Sequence, residues 1–147
     1  MTKILFVCHG NICRSPMAEC LLKDMVRDRS GDFAISSAAT STEEIGNPIH
    51  PGTRQKLKEM GVPLCDHRAV QLTVQDYRLY DWILGMDSAN IRNILRITGG
   101  DPKGKVRRLL DFSQRPRDIA DPWYTGNFDV TYEDIEEGCI ALLRALQ

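Results

Sequence analysis

Residues 1–15 constrain this chain more than any other stretch. Thr2-Lys3-Ile4-Leu5-Phe6-Val7 is an apolar run rich in β-formers, and Cys8-His9-Gly10-Asn11-Ile12-Cys13-Arg14-Ser15 follows with no spacer. Pro16-Met17-Ala18-Glu19 then opens a helical pattern. A strand that ends in a tight loop feeding a helix is the start of a βα unit. In open α/β sheets ligands bind at that carboxyl end of the strand.

The loop carries the residue types that a dianionic phosphate needs. Backbone N–H groups of His9 to Ser15 converge at a helix N-terminus, where the helix dipole adds positive potential. Gly10 and Asn11 tolerate the positive φ expected of such a loop. The Arg14 fork can grip two phosphate oxygens at once. The same electropositive setting should favour a nucleophilic thiolate at Cys8. Ser15 is placed to cap the helix or to donate to the Cys8 sulfur. Pro16 suits the first helical turn, where a missing N–H costs nothing. The bare Cys…Arg spacing is weak on its own, and a strand-end cysteine is often an inert small hydrophobe; the strand–loop–helix context is what favours phosphoryl chemistry.

The rest of the chain alternates strand and helix. Residues 16–28 show a helical stripe (Met17, Ala18, Leu21, Leu22, Met25, Val26), and 33–38 read as strand two. A polar loop over 40–52 precedes a short helix over 53–60, with Gly61 as its stop. Residues 62–71 are irregular, and Thr73-Val74-Gln75-Asp76 is a capped turn. Strand three covers 82–86, and Asp87 and Ser88 cap a helix running to about 97. Strand four, over 106–110, is weakly signalled. Residues 111–128 are expected to form a long surface loop, and Thr131-Tyr132-Glu133-Asp134 to start the last helix as a near capping box. The alternation predicts one α/β domain over 1–147, a parallel sheet with helices on both faces and the phosphate-binding loop after strand one.

Composition removes several function classes. A length of 147 residues suits one domain with a real core. A net charge of −1 gives no support for nucleic-acid or anionic-membrane binding. No apolar run approaches a transmembrane helix, and the N-terminus lacks a signal-peptide pattern. A cytoplasmic protein is expected. Five cysteines, an odd count, suggest reduced thiols rather than a disulfide framework. No Cys/His spacing suggests zinc, and no metal or cofactor is expected.

A thiolate that attacks a phosphate monoester needs a nearby acid to protonate the leaving oxygen. Asp121, followed by Pro122, Trp123 and Tyr124, is the candidate, although Asp-Pro on its own slightly favours a turn starter or helix-side cap. Trp123 and Tyr124 form either a wall against which a substrate ring stacks or a patch that buries the loop. A nucleophile at the bottom of an aromatic-walled pocket favours phosphotyrosine over the shorter phosphoserine.

Val7-Cys8-His9-Gly10-Asn11-Ile12-Cys13-Arg14-Ser15-Pro16-Met17-Ala18-Glu19 closely resembles the phosphate loop of the low-molecular-weight protein tyrosine phosphatases. Asp121-Pro122-Trp123-Tyr124 resembles that family's second signature, and the two motifs span almost the whole chain. The resemblance implies a small four-stranded parallel sheet, Asp121 as general acid, and phosphotyrosine proteins or small aryl phosphates as substrates. Inorganic phosphate would be the product, and the enzyme a monomer. It implies that Asn11 holds the loop by side-chain hydrogen bonds, with Ser37 and His67 in the same network. His9 would border the pocket mouth, and His50 and the basic residues Lys103, Lys105, Arg107 and Arg108 would be solvated.

Cys13 lies in the same curled loop as Cys8. A reversible Cys8–Cys13 disulfide, as the family forms, would shield Cys8 from irreversible oxidation. Thr42-Glu43-Glu44-Ile45 departs from the aromatic rim of many relatives and predicts an acidic one. Arsenate reduction on the same scaffold would need further cysteines, and none lies between Cys65 and Cys139. Arginine phosphatases of the family carry threonine where this chain has Ile12. A non-catalytic phosphate-binding module would not need Cys8, Arg14 and Asp121 together.

Overall fold

The computed structural model describes all 147 residues. Its centre is β1 (Thr2–Cys8), which pairs in parallel with β2 (Phe33–Ala39) on one side and β3 (Trp82–Gly85) on the other. β4 (Val106–Arg108) completes a four-stranded parallel sheet of order β2-β1-β3-β4. β1 reads as a continuous apolar run because both of its faces are covered. Ile4, Phe6 and Cys8 point into one core with Leu84 and Met86, while Leu5 and Val7 point into a smaller one with Ile83 and Ile94.

Helices α1 (Arg14–Met25), α2 (Pro51–Glu59) and α3 (Val74–Leu79) precede α4 (Ser88–Thr98), the short α5 (Pro122–Thr125) and α6 (Phe128–Ala145). α1 and α6 cover the larger core, where Leu22, Ile135 and Leu142 are fully buried. α4 closes the smaller one through Ile94. The chain leaves β1 towards β2 and leaves β3 towards β4, on opposite sides of β1. The crevice between the ends of β1 and β3 is therefore the topological switch point, where such sheets bind ligands.

Several boundaries differ from the sequence reading. α2 starts at Pro51 rather than Thr53, because proline suits the first turn and His50 Nδ1 accepts the Gly52 N–H at 3.0 Å. α6 starts at Phe128, capped by Asn127, whose side chain accepts from the Val130 N–H at 3.1 Å; Thr131 is buried inside the helix. β4 stops at Arg108, and Leu109–Phe112 winds into a 3-10 turn that buries Leu109 and Leu110. The stretch after it is not a plain surface loop, since Ile119 is fully buried and α5 interrupts it. The basic residues are only partly solvated: Arg108 pairs with Asp111 and Asp118, and Lys105 donates to the Tyr77 carbonyl.

The expectation that all five thiols are reduced is also corrected. Cys20 on α1 and Cys65 in the 62–71 segment form a disulfide, their Cα atoms 5.3 Å apart, while Cys8, Cys13 and Cys139 are free. An odd count excludes only complete pairing. Packing of the 62–71 segment against α1 brings these two within bridging distance. No helix is long and apolar enough to cross a membrane.

Candidate active site

Cys8 ends β1 and its sulfur faces a set of donors. The Asn11 N–H reaches Sγ at 3.3 Å, the Ser15 N–H at 3.4 Å, and Ser15 Oγ lies 3.0 Å away. Two backbone amides thus donate to the sulfur, and the Ser15 hydroxyl lies within hydrogen-bond reach of it. Ser15 therefore serves the sulfur; it does not cap α1, whose N-cap position is Cys13 with no side-chain cap bond. The amides of Gly10, Ile12 and Cys13 take no acceptor inside the protein, which leaves them for a ligand's oxygens.

The loop's curl rests on Asn11, the one non-glycine residue at positive φ (60°). Its side chain compensates. Asn11 Nδ2 donates to Ser15 Oγ at 2.7 Å and to Ser37 Oγ at 2.9 Å, and Oδ1 accepts the Val70 N–H at 3.1 Å. Gly10 is not at positive φ, contrary to expectation. An added Cβ would meet Glu44 Cγ at 3.4 Å, an ordinary contact.

Behind this layer lies an ionic one that the sequence reading missed. Ser37 Oγ donates to Glu19 Oε1 at 2.5 Å, Lys23 donates to Glu19 Oε2 at 2.6 Å, and His67 Nδ1 lies 3.6 Å from Glu19 Oε1. The other His67 nitrogen meets the Asn11 carbonyl at 2.8 Å, which places His67 and Ser37 in the network expected of them. Burial opposes ionisation of Glu19, but the bonds from His67, Lys23 and Ser37 outweigh it and hold the carboxyl below its ordinary range. The only sequence sign of Glu19's role was an acidic residue on an otherwise apolar helix face.

Arg14 is 2% exposed, and its fork is fixed from two sides. Nη1 donates to Asp87 Oδ2 at 2.7 Å and to the Ile119 carbonyl at 2.8 Å, and Nη2 lies 3.5 Å from Asp121 Oδ2. Nε has no acceptor within the protein. Burial alone would disfavour the charged guanidinium, but Cys8, Asp87 and Asp121 more than offset it. The sequence marks Asp87 only as a helix cap. It is one, accepting the Asn90 N–H at 2.7 Å, and it also orients Arg14.

Asp121 Oδ1 accepts the Trp123 N–H at 3.1 Å, so the cap reading of Asp-Pro is met as well. That bond leaves Oδ2 pointing at Arg14. Trp123 and Tyr124 are 58% and 81% exposed, so they are not spent on burying their loop. Trp123 leans edge-on against His50, which stacks on Phe128, each pair of centroids being 5.6 Å apart. His50 is thus a support of the wall rather than a plain surface residue.

Cys8, Arg14 and Asp121 line one cleft with Trp123 and Tyr124. His9, Gly10, Ile12, Cys13, Glu43 and Glu44 complete its lining. His9 Nε2 is 3.1 Å from Glu43 Oε2 at the mouth. Cys13 is held as a thiol, since burial and the neighbouring Cys8 push its pKa up to about 12.

Residues 3–147 match the profile of the low molecular weight phosphotyrosine protein phosphatases. The chain is 38% identical to the low molecular weight protein-tyrosine-phosphatase YfkJ of Bacillus subtilis, over 100% of this chain and 97% of that one. The YfkJ crystal structure superposes with a TM-score of 0.94, covering 100% and 95% of the two chains. The phosphatase SP-PTP of Streptococcus pyogenes is 40% identical, with a TM-score of 0.91 over 100% and 94%. The Drosophila arginine phosphatase DARP is 28% identical, with a TM-score of 0.90 over 99% and 98%. Sequence and fold agree along the whole chain, which belongs to the low-molecular-weight phosphotyrosine protein phosphatase family.

Proposed function

We propose that this protein hydrolyses phosphotyrosine in two metal-independent steps through a cysteinyl-phosphate, with Cys8 as nucleophile, Arg14 as phosphate clamp and Asp121 as acid and then base. The observation that carries the reading is the convergence on one cleft of the triply hydrogen-bonded Cys8 sulfur, the half-satisfied Arg14 fork and the Asp121 carboxyl. In the first step the Cys8 thiolate attacks phosphorus in line. Arg14 and the loop amides hold the equatorial oxygens, which carry the transition-state charge. The P–O bond to the phenol breaks, and its oxygen takes the proton of Asp121. In the second step the Asp121 carboxylate removes a proton from water, the hydroxyl attacks phosphorus, and the S–P bond breaks. Inorganic phosphate leaves and Cys8 returns as thiolate, steadied by the Ser15 hydroxyl.

The wall and floor support an aryl ester. Trp123, Tyr124 and the apolar Ile12 all line the cleft that a phenyl ring must enter to reach the loop. Substrates are phosphotyrosine proteins or small aryl phosphates. A reducing compartment such as the cytoplasm suits an enzyme that works through a thiolate. Cys13 remains the candidate for a protective disulfide with Cys8.

The test compares a phosphotyrosine peptide with a phosphoarginine peptide, without metal, using wild type, Cys8→Ser and Asp121→Ala. Tyrosine turnover that vanishes in Cys8→Ser is expected, with Asp121→Ala retaining binding and losing orders of magnitude in kcat. Preferential arginine turnover would overturn the substrate while keeping the residues. Near-native kcat of Asp121→Ala on an ester with a poor leaving group would remove Asp121 from the acid's role.

A further inference from the structure

The Cys20–Cys65 disulfide joins the two elements that support the phosphate loop from behind. Cys20 follows Glu19 on α1, and Cys65 lies just before His67. Between Val62, whose N–H reaches the Leu57 carbonyl, and Ala69, which bonds Asn47, the segment makes no backbone-to-backbone hydrogen bond. Its ties are few: the disulfide, the Cys65 N–H on Cys20 Sγ at 3.2 Å, His67 on Glu19 and the Asn11 carbonyl, and Arg68 on the Gly46 carbonyl. The disulfide is thus the one covalent tie of the strand of chain that holds His67 against Asn11.

The two sulfurs are not equally reachable. Cys20 is 1% exposed, whereas Cys65 is only partly buried and lines a surface cleft of about 300 Å³. Arg54 and Arg68 flank that cleft, and Asp66 and His67 complete its polar side. Arg54 has no ion-pair partner and Arg68 is bonded only to a carbonyl, so both cations remain available to an anionic ligand. The cleft is separate from the one that holds Cys8.

We propose that Cys20–Cys65 is a thiol–disulfide exchange site for anionic low-molecular-weight thiols, entered at Cys65, and that its redox state sets how firmly His67 and Glu19 hold the phosphate loop. A thiolate RS⁻ in the cleft attacks Cys65 Sγ. The S–S electron pair leaves on Cys20 Sγ, where the Cys65 N–H steadies the charge until the sulfur is protonated. A second RS⁻ attacks the R sulfur of the Cys65 mixed disulfide and releases Cys65 as thiolate and RSSR. Two RSH are oxidised and one protein disulfide is reduced; RSSR drives the reverse. Reduction loosens the 63–68 segment and weakens the grip on Asn11, so phosphate monoesters bind less well. The exchange itself does not depend on the phosphatase reading; the effect on binding does.

Exchange is read by intact mass on a Cys8→Ser/Cys13→Ser background, with glutathione and its disulfide as the probe. Starting from reduced protein, glutathione disulfide should add one glutathione at Cys65 and then close the Cys20–Cys65 bond. Cys20→Ser should trap the adduct. Arg54→Ala/Arg68→Ala should slow addition about tenfold, and cationic cystamine should not show that slowing. With Cys8 intact, reduced protein and Cys20→Ala/Cys65→Ala should both show a several-fold higher KM for a phosphate monoester than the disulfide form, with a smaller change in kcat. No adduct and three free thiols at every glutathione ratio would overturn the exchange site. Equal KM in both redox states would overturn the coupling. Absence of turnover in every state would instead count against the phosphatase reading.

Discussion

Arg14 Nη1 donates to Asp87 Oδ2 at 2.7 Å, so the phosphate clamp at the start of α1 is itself held from the end of β3. Asp87 also caps α4 through the Asn90 N–H. Asp87→Asn separates the two jobs, because asparagine caps as well as aspartate but lacks the charge. The variant should fold with near-native stability and lose about 2 kcal/mol of phosphate binding, roughly thirtyfold in kcat/KM. Asp87→Ala should lose the cap as well, at about 1 kcal/mol of stability. Monoester kinetics and thermal melts check both; unchanged kinetics in Asp87→Asn would show that Arg14 needs no orienting.

Asn11 combines a left-handed backbone with three side-chain hydrogen bonds. Asn11→Gly keeps the conformation and loses the bonds, while Asn11→Ala loses both. Gly should cost about 2 kcal/mol from the buried bonds, and Ala about 1 kcal/mol more. Chemical denaturation gives the difference. Alkylation of Cys8 should slow in both, since Ser15 Oγ loses the donor that orients it.

Glu43 and Glu44 make the rim of the cleft acidic, and Glu43 Oε2 lies 3.1 Å from His9 Nε2. Phosphotyrosine peptides with acidic flanks should have lower kcat/KM than those with basic flanks, by several-fold at low ionic strength and less at high salt. Glu43→Gln/Glu44→Gln should erase the preference. Equal kcat/KM for both peptides in wild type would show that the rim does not sense the flanks.

The site's first layer was legible because its chemistry is local in sequence. One strand, one turn and one helix start place Cys8, Asn11, Arg14 and Ser15 together, so residue type and order suffice. Glu19, Asp87 and His50 were not legible as supports, because their partners lie on other elements. A capping aspartate looks the same whether or not an arginine from another helix reaches it. The Cys20–Cys65 bond was hidden for the same reason, since pairing depends on how the 62–71 segment packs on α1. The order of the four strands and of α1, α2, α4 and α6 came through from hydrophobic alternation, whereas the short α5 carries too few residues to show a period. The start of α6 did not come through, because Asn127 and Thr131 both carry capping side chains, and only the burial of Thr131 against the Ala120 carbonyl decides between them.

Stability at acid pH should fall through a defined window. Arg117 and the Ser113 hydroxyl hold Glu137 well below its ordinary value of 4.5, at about 2. The unfolded chain therefore binds this proton first as pH falls, and unfolding is favoured between about 4.5 and 2. Glu19 shifts in the same direction. Above that window the contribution is complete. Arg117→Leu should flatten the fall, which a series of urea midpoints from pH 6 to 2.5 would show; an unchanged slope would remove Glu137 as its source. Because Glu137 is partly open to solvent, solvent screening keeps the effect modest.

The aromatic wall is propped from α2 by a glycine. A Cβ at Gly52 would lie 2.3 Å from Phe128 Cζ, so the ring occupies the space that any other residue would fill. Phe128 stacks on His50, and His50 meets Trp123 edge-on. Gly52→Ala must displace Phe128 and, through His50, the face that Trp123 presents to the cleft. Overpacking of this kind costs about 1–3 kcal/mol of stability. If Trp123 stacks on the substrate ring, the variant should also raise KM for aryl phosphates while leaving the affinity for inorganic phosphate, which touches only the loop, unchanged. A stability loss with no change in aryl KM would show that Trp123 takes no part in binding the ring.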